Sequence, residues 1–183
     1  TRADQTHPFT QAFIEAGQQA GYACNPDLNG ASREGFGAVD LTVGNGKRSS
    51  ASAAYLRPVI RRPNLTVETG AQMRKILFEG KRATGVVYRR DGESEDRVAH
   101  ATRETILSAG AINSPHLLML SGIGPAAHLA EHGIALVHDL PGVGQNLQDH
   151  LAVHVKYKAT KPLSMLRYLN PVRGAFALGQ YLL

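Results

Sequence analysis

Three groups of residues in the sequence could do chemistry. His128-Leu129-Ala130-Glu131-His132 spells HxxEH, where histidines four apart share one helix face and could hold zinc with the glutamate as base. That chemistry needs a longer helix and a third ligand from an orderly downstream helix. Gly133 stops this helix at once, so the segment reads as a solvated polar face. His150 and His154 could share one face of a strand as a metal or acid/base pair. No metal ligand set is assigned from either group.

The third group concerns nucleotides. Gly122, Gly124 and Ala127 satisfy GxGxxA, Leu117 to Leu120 could pass for the preceding strand, and Asp139 stands where a ribose-binding acid would. An NAD-binding Rossmann module is therefore one reading. Against it, Pro125 sits where a helix should donate N–H groups to a pyrophosphate, and the helix that follows is only about two turns. Ser114-Pro115 also makes Leu117 to Leu120 a better helix than strand. Just upstream, the β-favouring run Thr105 to Ser108 meets the small-residue turn Ala109-Gly110-Ala111, before a helix start at Ser114-Pro115. Strand, tight turn and helix in that order bring backbone close to a cofactor in nucleotide-binding folds. The bland alternative is a tight turn with no ligand.

The elements that must position these residues follow from periodicity. Phe9 to Gly21 carries apolar residues at helical spacing and predicts an amphipathic helix ending at Gly21. Asn25 to Gly37 reads as loop, Gly44 to Gly46 as a turn, and Arg48 to Leu56 as a small-residue helix ending before Pro58. Strands are expected at Leu65 to Thr69, Met73 to Phe78, Ala83 to Arg90, Val98 to Ala101 and Thr105 to Ser108, with turns at Glu79-Gly80 and Asp91-Gly92. Leu117, Leu118 and Leu120 give the central helix its apolar face, and Gly122 ends it. A short helix from Pro125 to His132, a strand from Ile134 to His138, a loop from Leu140 to Gln145 and an alternating strand from Leu151 to Tyr157 complete the order. Ala175 to Leu183 is an apolar helix-like run.

At 183 residues the chain holds one domain or parts of two. Its 43% hydrophobic and 19% charged residues are ordinary for a globular protein. No run is long enough to span a bilayer and Thr1 opens no signal-peptide pattern, so the chain reads as soluble and cytoplasmic, with peripheral attachment to an inner membrane left open. Cys24, the one cysteine, excludes an internal disulfide. The net charge of +5 is spread among interspersed acids without interleaved aromatics, so no nucleic-acid partner is expected.

Gly110-Ala111, Ser114-Pro115, Leu117-Leu118 and Ser121-Gly122-Ile123-Gly124 together resemble the second signature of the glucose-methanol-choline (GMC) oxidoreductases, FAD-dependent flavoproteins that oxidise alcohols. Asn146-Leu147-Gln148-Asp149-His150, after Pro141-Gly142-Val143-Gly144, resembles the family's downstream NLQDH element. Asp27-Leu28-Asn29-Gly30 and Glu34-Gly35-Phe36-Gly37 are most similar to the choline dehydrogenase branch.

The resemblance implies an α/β fold: part of an FAD-binding, Rossmann-like domain with a β-meander, plus the start of an α+β substrate domain. It implies boundaries at 1–44 for a substrate-side connecting segment, 45–150 for the FAD-binding portion and 151–183 for the start of the substrate domain. It places FAD against the backbone near Met73 and against Ser108, Ala109 and Gly110, and makes His150, Asn146 and Asp149 loop-fixing residues. Met73 departs from the smaller branched residue more usual in the family.

In that family an alcohol's hydride passes to flavin while a base removes the hydroxyl proton, giving an aldehyde or ketone. A small primary alcohol such as choline is the expected substrate, and the rest of a longer parent polypeptide the expected partner. Both ends read as internal cuts. The family's Gly-rich pyrophosphate loop belongs upstream of Thr1 and its catalytic histidine downstream of Leu183. No catalytic residue is therefore expected in this chain, and the piece alone should neither oxidise alcohols nor hold FAD tightly. A module that serves only folding or interaction is the non-enzymatic alternative.

Overall fold

The computed structural model describes residues 7–156, 158, 160 and 168–182. The fold is mixed α/β and divides into two compact units, residues 1–65 with 153–183, and residues 66–152. Among the described residues no helix is long and apolar enough to cross a membrane.

In the first unit, helix α1 spans Pro8–Gln19, close to the span its periodicity predicts. Proline at its first position has no N–H to leave unpaired, and the His7 Nδ1 accepts from the Phe9 N–H at 3.2 Å. Gly17 is buried because the Phe36 ring lies where a side chain would stand. That ring packs between Phe13 and Tyr22, with centroids 5.1 and 5.4 Å away. The loop that delivers Phe36 is pinned by Asn25, whose amide donates to the Ser32 and Glu34 carbonyls at 2.8 and 3.0 Å. Strands β1 (Val43–Gly44) and β2 (Lys47–Arg48) form a hairpin turned by Asn45 and Gly46, both at positive φ, as an Asn-Gly hairpin requires.

The expected small-residue helix is irregular. Ser52–Leu56 forms one wide turn in which the Arg57 N–H reaches the Ser52 carbonyl, and a tight turn over Arg57–Val59 takes in Pro58 rather than stopping before it. Helix α4, Pro171–Leu182, starts under Asn170, whose Oδ1 accepts from the Val172 and Arg173 N–H groups at 3.1 and 3.3 Å.

The second unit holds the core. Strands β3 (Ala71–Glu79), β4 (Arg82–Arg90) and β5 (Arg97–His100) form an antiparallel meander in that order. The β3–β4 register shifts twice, passing over Arg74 of β3 and Thr84 of β4, and helix α2, Gly110–Leu120, packs on β3. Leu117 and Ile76 are buried between them. Helix α3, Ala126–Glu131, is anchored by Leu129, which is 1% exposed. Strands β6 (Ile123–Gly124) and β7 (His138–Asp139) pair in parallel around it.

Several expected elements differ. Leu65 to Thr69 and Thr105 to Ser108 form no ladder. A strand needs a neighbour to bond, and among the described residues neither run is paired with another strand. Helix α2 begins at Gly110 rather than at Ser114. Ser114 sits one turn inside, and its Oγ accepts from the Ala109 N–H at 3.1 Å, so it caps backward from within the helix while Pro115 occupies the interior. The strand expected at Ile134 to His138 shortens to β7. Leu151 to Lys156 forms no strand, with Leu151 95% exposed, and Tyr157, Thr1 and Leu183 lie outside the described residues.

Candidate functional site

The C-terminal end of α2 is tied to β3 by one buried hydroxyl. Ser121, 7% exposed, accepts from the Ile76 N–H at 2.8 Å and donates to the Leu117 carbonyl at 2.6 Å. Ile76 is paired with Val86 of β4, so Ser121 satisfies an amide on the strand edge that, among the described residues, no other strand covers.

With helix and strand fixed at that end, a cleft of about 580 Å³ opens along their length. Its strand side is Gln72, Met73 and Arg74. Ala109 forms its end, and Asn113, His116, Leu117 and Leu120 form its helix side. The structure thus brings Met73 and Ala109, more than thirty positions apart, onto one cleft. Ser108 and Gly110 flank Ala109 in the chain but are not among the residues lining it. Gly110 has φ +88 with open space where a side chain would stand, so glycine is needed for the backbone turn and not for room.

The lining suits an organic ligand carrying negative charge. Leu117, Leu120 and Met73 offer apolar surface, Asn113 and Gln72 offer amides, Arg74 on the strand side supplies a positive charge and His116 on the helix side an imidazole. The volume lies within the range of roughly 300–1,000 Å³ typical of small-molecule sites. His116, Arg74 and Asn113 were not singled out in the sequence. The signal was there, because 113, 116, 117 and 120 stand at the i, i+3, i+4, i+7 spacing of a single helix face. His116 also borders a second, mainly apolar cleft of about 520 Å³ with Pro115, Met119, Gly144, Asn146 and Leu147.

The downstream loop is held locally. Asn146 has φ +55, a backbone state that asparagine tolerates, and its Oδ1 accepts from the Gln148 amide at 3.1 Å. Asp149 Oδ1 accepts from the His150 N–H at 2.7 Å. Neither residue borders the first cleft.

The GxGxxA reading fails on geometry. Leu117 to Leu120 is helix, and Gly122, φ +87, is glycine because the Ala135 carbonyl lies where its side chain would be. Asp139 does not face a ribose position. Its Oδ1 accepts from the Ala126 N–H at 3.0 Å, which caps α3 at the end where a pyrophosphate would have to bind.

A family model described as GMC oxidoreductase matches residues 1–152. The chain belongs to the GMC oxidoreductase family. Among its GMC relatives, mitochondrial choline dehydrogenase of Mus musculus is 50% identical over 173 residues, covering 94% of this chain and 29% of the relative. An oxygen-dependent choline dehydrogenase of Brucella ovis is 52% identical over 169 residues, covering 92% and 30%. The chain thus spans about three-tenths of the length of these relatives. Among solved structures, an FAD-dependent oxidoreductase from Chaetomium thermophilum aligns with a TM-score of 0.70 at 36% identity, over 78% of this chain and 25% of that one. A pyridoxine 4-oxidase from Mesorbium loti aligns at 0.67 and 33% identity, over 76% and 27%.

Proposed function

We propose that this chain is part of an FAD-dependent oxidoreductase that oxidises a small primary alcohol, choline or a close relative, to the aldehyde. The identity of 50–52% to choline dehydrogenases over more than nine-tenths of the chain carries this reading. The cleft between β3 and α2 fits an FAD moiety by its volume, by its mix of apolar wall and positive charge, and by the turn that Gly110 makes at its end.

In this reading the backbone at Met73 and the Ser108-Ala109-Gly110 turn hold the cofactor. In the same reading, residues 45–150 supply part of the FAD-binding domain, 151–183 begin the substrate domain, and 1–44 are a substrate-side connecting segment. Arg74 lies on the strand side of the cleft, where a phosphate-bearing ligand gains from positive charge, and His116 lies across from it on the helix side. Bound FAD supplies the hydride acceptor. What this chain's own residues do is position: Ser121 holds helix to strand, and the small side chain of Ala109 keeps the cleft's end open. The proton-abstracting base is assigned to no residue of this chain, and the remainder of the polypeptide is the partner that brings it. In this reading the protein is cytoplasmic, free or peripheral to the inner membrane.

The test is a visible spectrum of the full-length protein purified without added cofactor, repeated anaerobically with choline and other primary alcohols. Flavin bands that bleach with one alcohol support the reading and identify the substrate class. A protein that is colourless, and remains so after refolding with FAD, overturns it.

A further inference from the structure

Outside the cleft, the densest cluster of metal-ligating atoms is on α3. His128 on its exposed side and His132, the residue that caps its C-terminal end, have ring centroids 4.7 Å apart and planes at 82°. The Nδ1 of His128 faces the Glu131 carboxylate at 3.7 Å. The helix beneath them is fixed: Leu129 is buried between them in sequence, and the Ile134 N–H returns to the Leu129 carbonyl at 2.9 Å, closing the end just beyond His132.

We propose that α3 carries a surface site for a divalent transition ion, ligated by one imidazole nitrogen each of His128 and His132. The ring spacing is compatible with a shared ion. With a metal–nitrogen bond of about 2.1 Å and roughly 1.1 Å more to the ring centre, two rings at ligand angles of about 90–110° have centroids about 4.5–5.2 Å apart. Glu131 stands near the pair, its carboxylate 3.7 Å from the His128 Nδ1, and adds negative charge beside a bound cation.

Among the described residues no group of three or more His, Cys, Asp and Glu side chains could hold a metal ion together. Water therefore completes the coordination, which makes the ion exchangeable and distinguishes the site from the three-ligand zinc centre of a protease. Imidazole pairs with open positions favour copper(II) over zinc. The proposal is independent of the flavin reading.

The test uses full-length protein, stripped with chelator and titrated separately with Cu²⁺ and Zn²⁺ by calorimetry. One saturable ion per chain is expected, with copper the tighter. His128→Gln and His132→Gln should each weaken it by about tenfold or more. His154→Gln should leave it unchanged. A second readout needs no variant: Zn²⁺ should protect His128 and His132 from carbethoxylation, seen by peptide mapping. Absence of saturable binding, wild-type affinity in either histidine variant, or equal labelling with and without Zn²⁺ overturns the proposal.

Discussion

Replacing Ser121 with alanine tests how the cleft is held open. The hydroxyl serves two backbone groups, and its loss affects them unequally. The Leu117 carbonyl keeps the Ser121 N–H at 3.1 Å, so it still has a partner. The Ile76 N–H has no other partner on that edge, and Ile76 is only 6% exposed, so water does not readily replace the lost acceptor. Leaving a buried donor unpaired costs about 1–3 kcal/mol. At the middle of that range the folded-to-unfolded ratio falls by roughly thirtyfold, and with a urea slope of a few kcal/mol per molar the transition of this part of the protein moves about 1 M lower. Urea unfolding of the full-length protein, with hydrogen exchange followed at the Ile76 amide, measures both consequences. A midpoint within about 0.2 M of wild type together with unchanged exchange at Ile76 would refute the assignment of Ser121 as the clamp.

Four further outcomes are expected. Gly122→Ala should destabilise by about 1–3 kcal/mol, because a side chain at φ +87 is strained and meets the Ala135 carbonyl; thermal unfolding reads this. Asp139→Ala should cost about 0.5–2 kcal/mol through loss of the α3 cap, while Asp139→Asn recovers most of it. Ala109→Leu should fill the end of the cleft and lower the affinity of the full-length protein for added FAD by tenfold or more, about 1.4 kcal/mol, whereas Met73→Val, which keeps the backbone, should bind FAD as wild type does. Arg97→Gln should leave the unfolding midpoint unchanged, although the Glu93 carboxylate, at 2.8 and 2.7 Å, raises the Arg97 guanidinium above its ordinary range; that pair is exposed to solvent and screened by it.

What could be read from the sequence was what short stretches decide for themselves. The spacing of Phe9, Phe13 and Ala16 and the turn glycines at 80 and 92 led to α1 and to the meander within a residue or two, since these depend on local periodicity and on φ. The signature around Gly110 to Gly124 carried the family. Runs whose state depends on a neighbour were misread: Thr105 to Ser108 and Leu65 to Thr69 have strand composition, but composition describes fitness for a pleated, half-buried surface and not the presence of a partner. In α2, an internal serine and proline mimicked a helix start because Ser114 does cap, only from the wrong side. The cleft was half legible. Ala109 was found through its turn and Met73 through the family, whereas Arg74 and His116 emerge only when β3 and α2 are laid together.

The meander has two edges, and they are protected differently. The β3 edge is covered where α2 leans on it and Ser121 takes up the Ile76 amide. The β5 edge has no covering among the described residues, yet it is only four residues long, begins at an arginine held by Glu93 and ends at a histidine. Short, charged edges are poor templates for a strand from another molecule. The Arg97 side chain, which adds little to the stability of the fold, therefore matters at high concentration. Its loss is expected to leave the exposed Val98 on a less charged edge, raising self-association at high concentration, which light scattering would read and an unfolding curve would not.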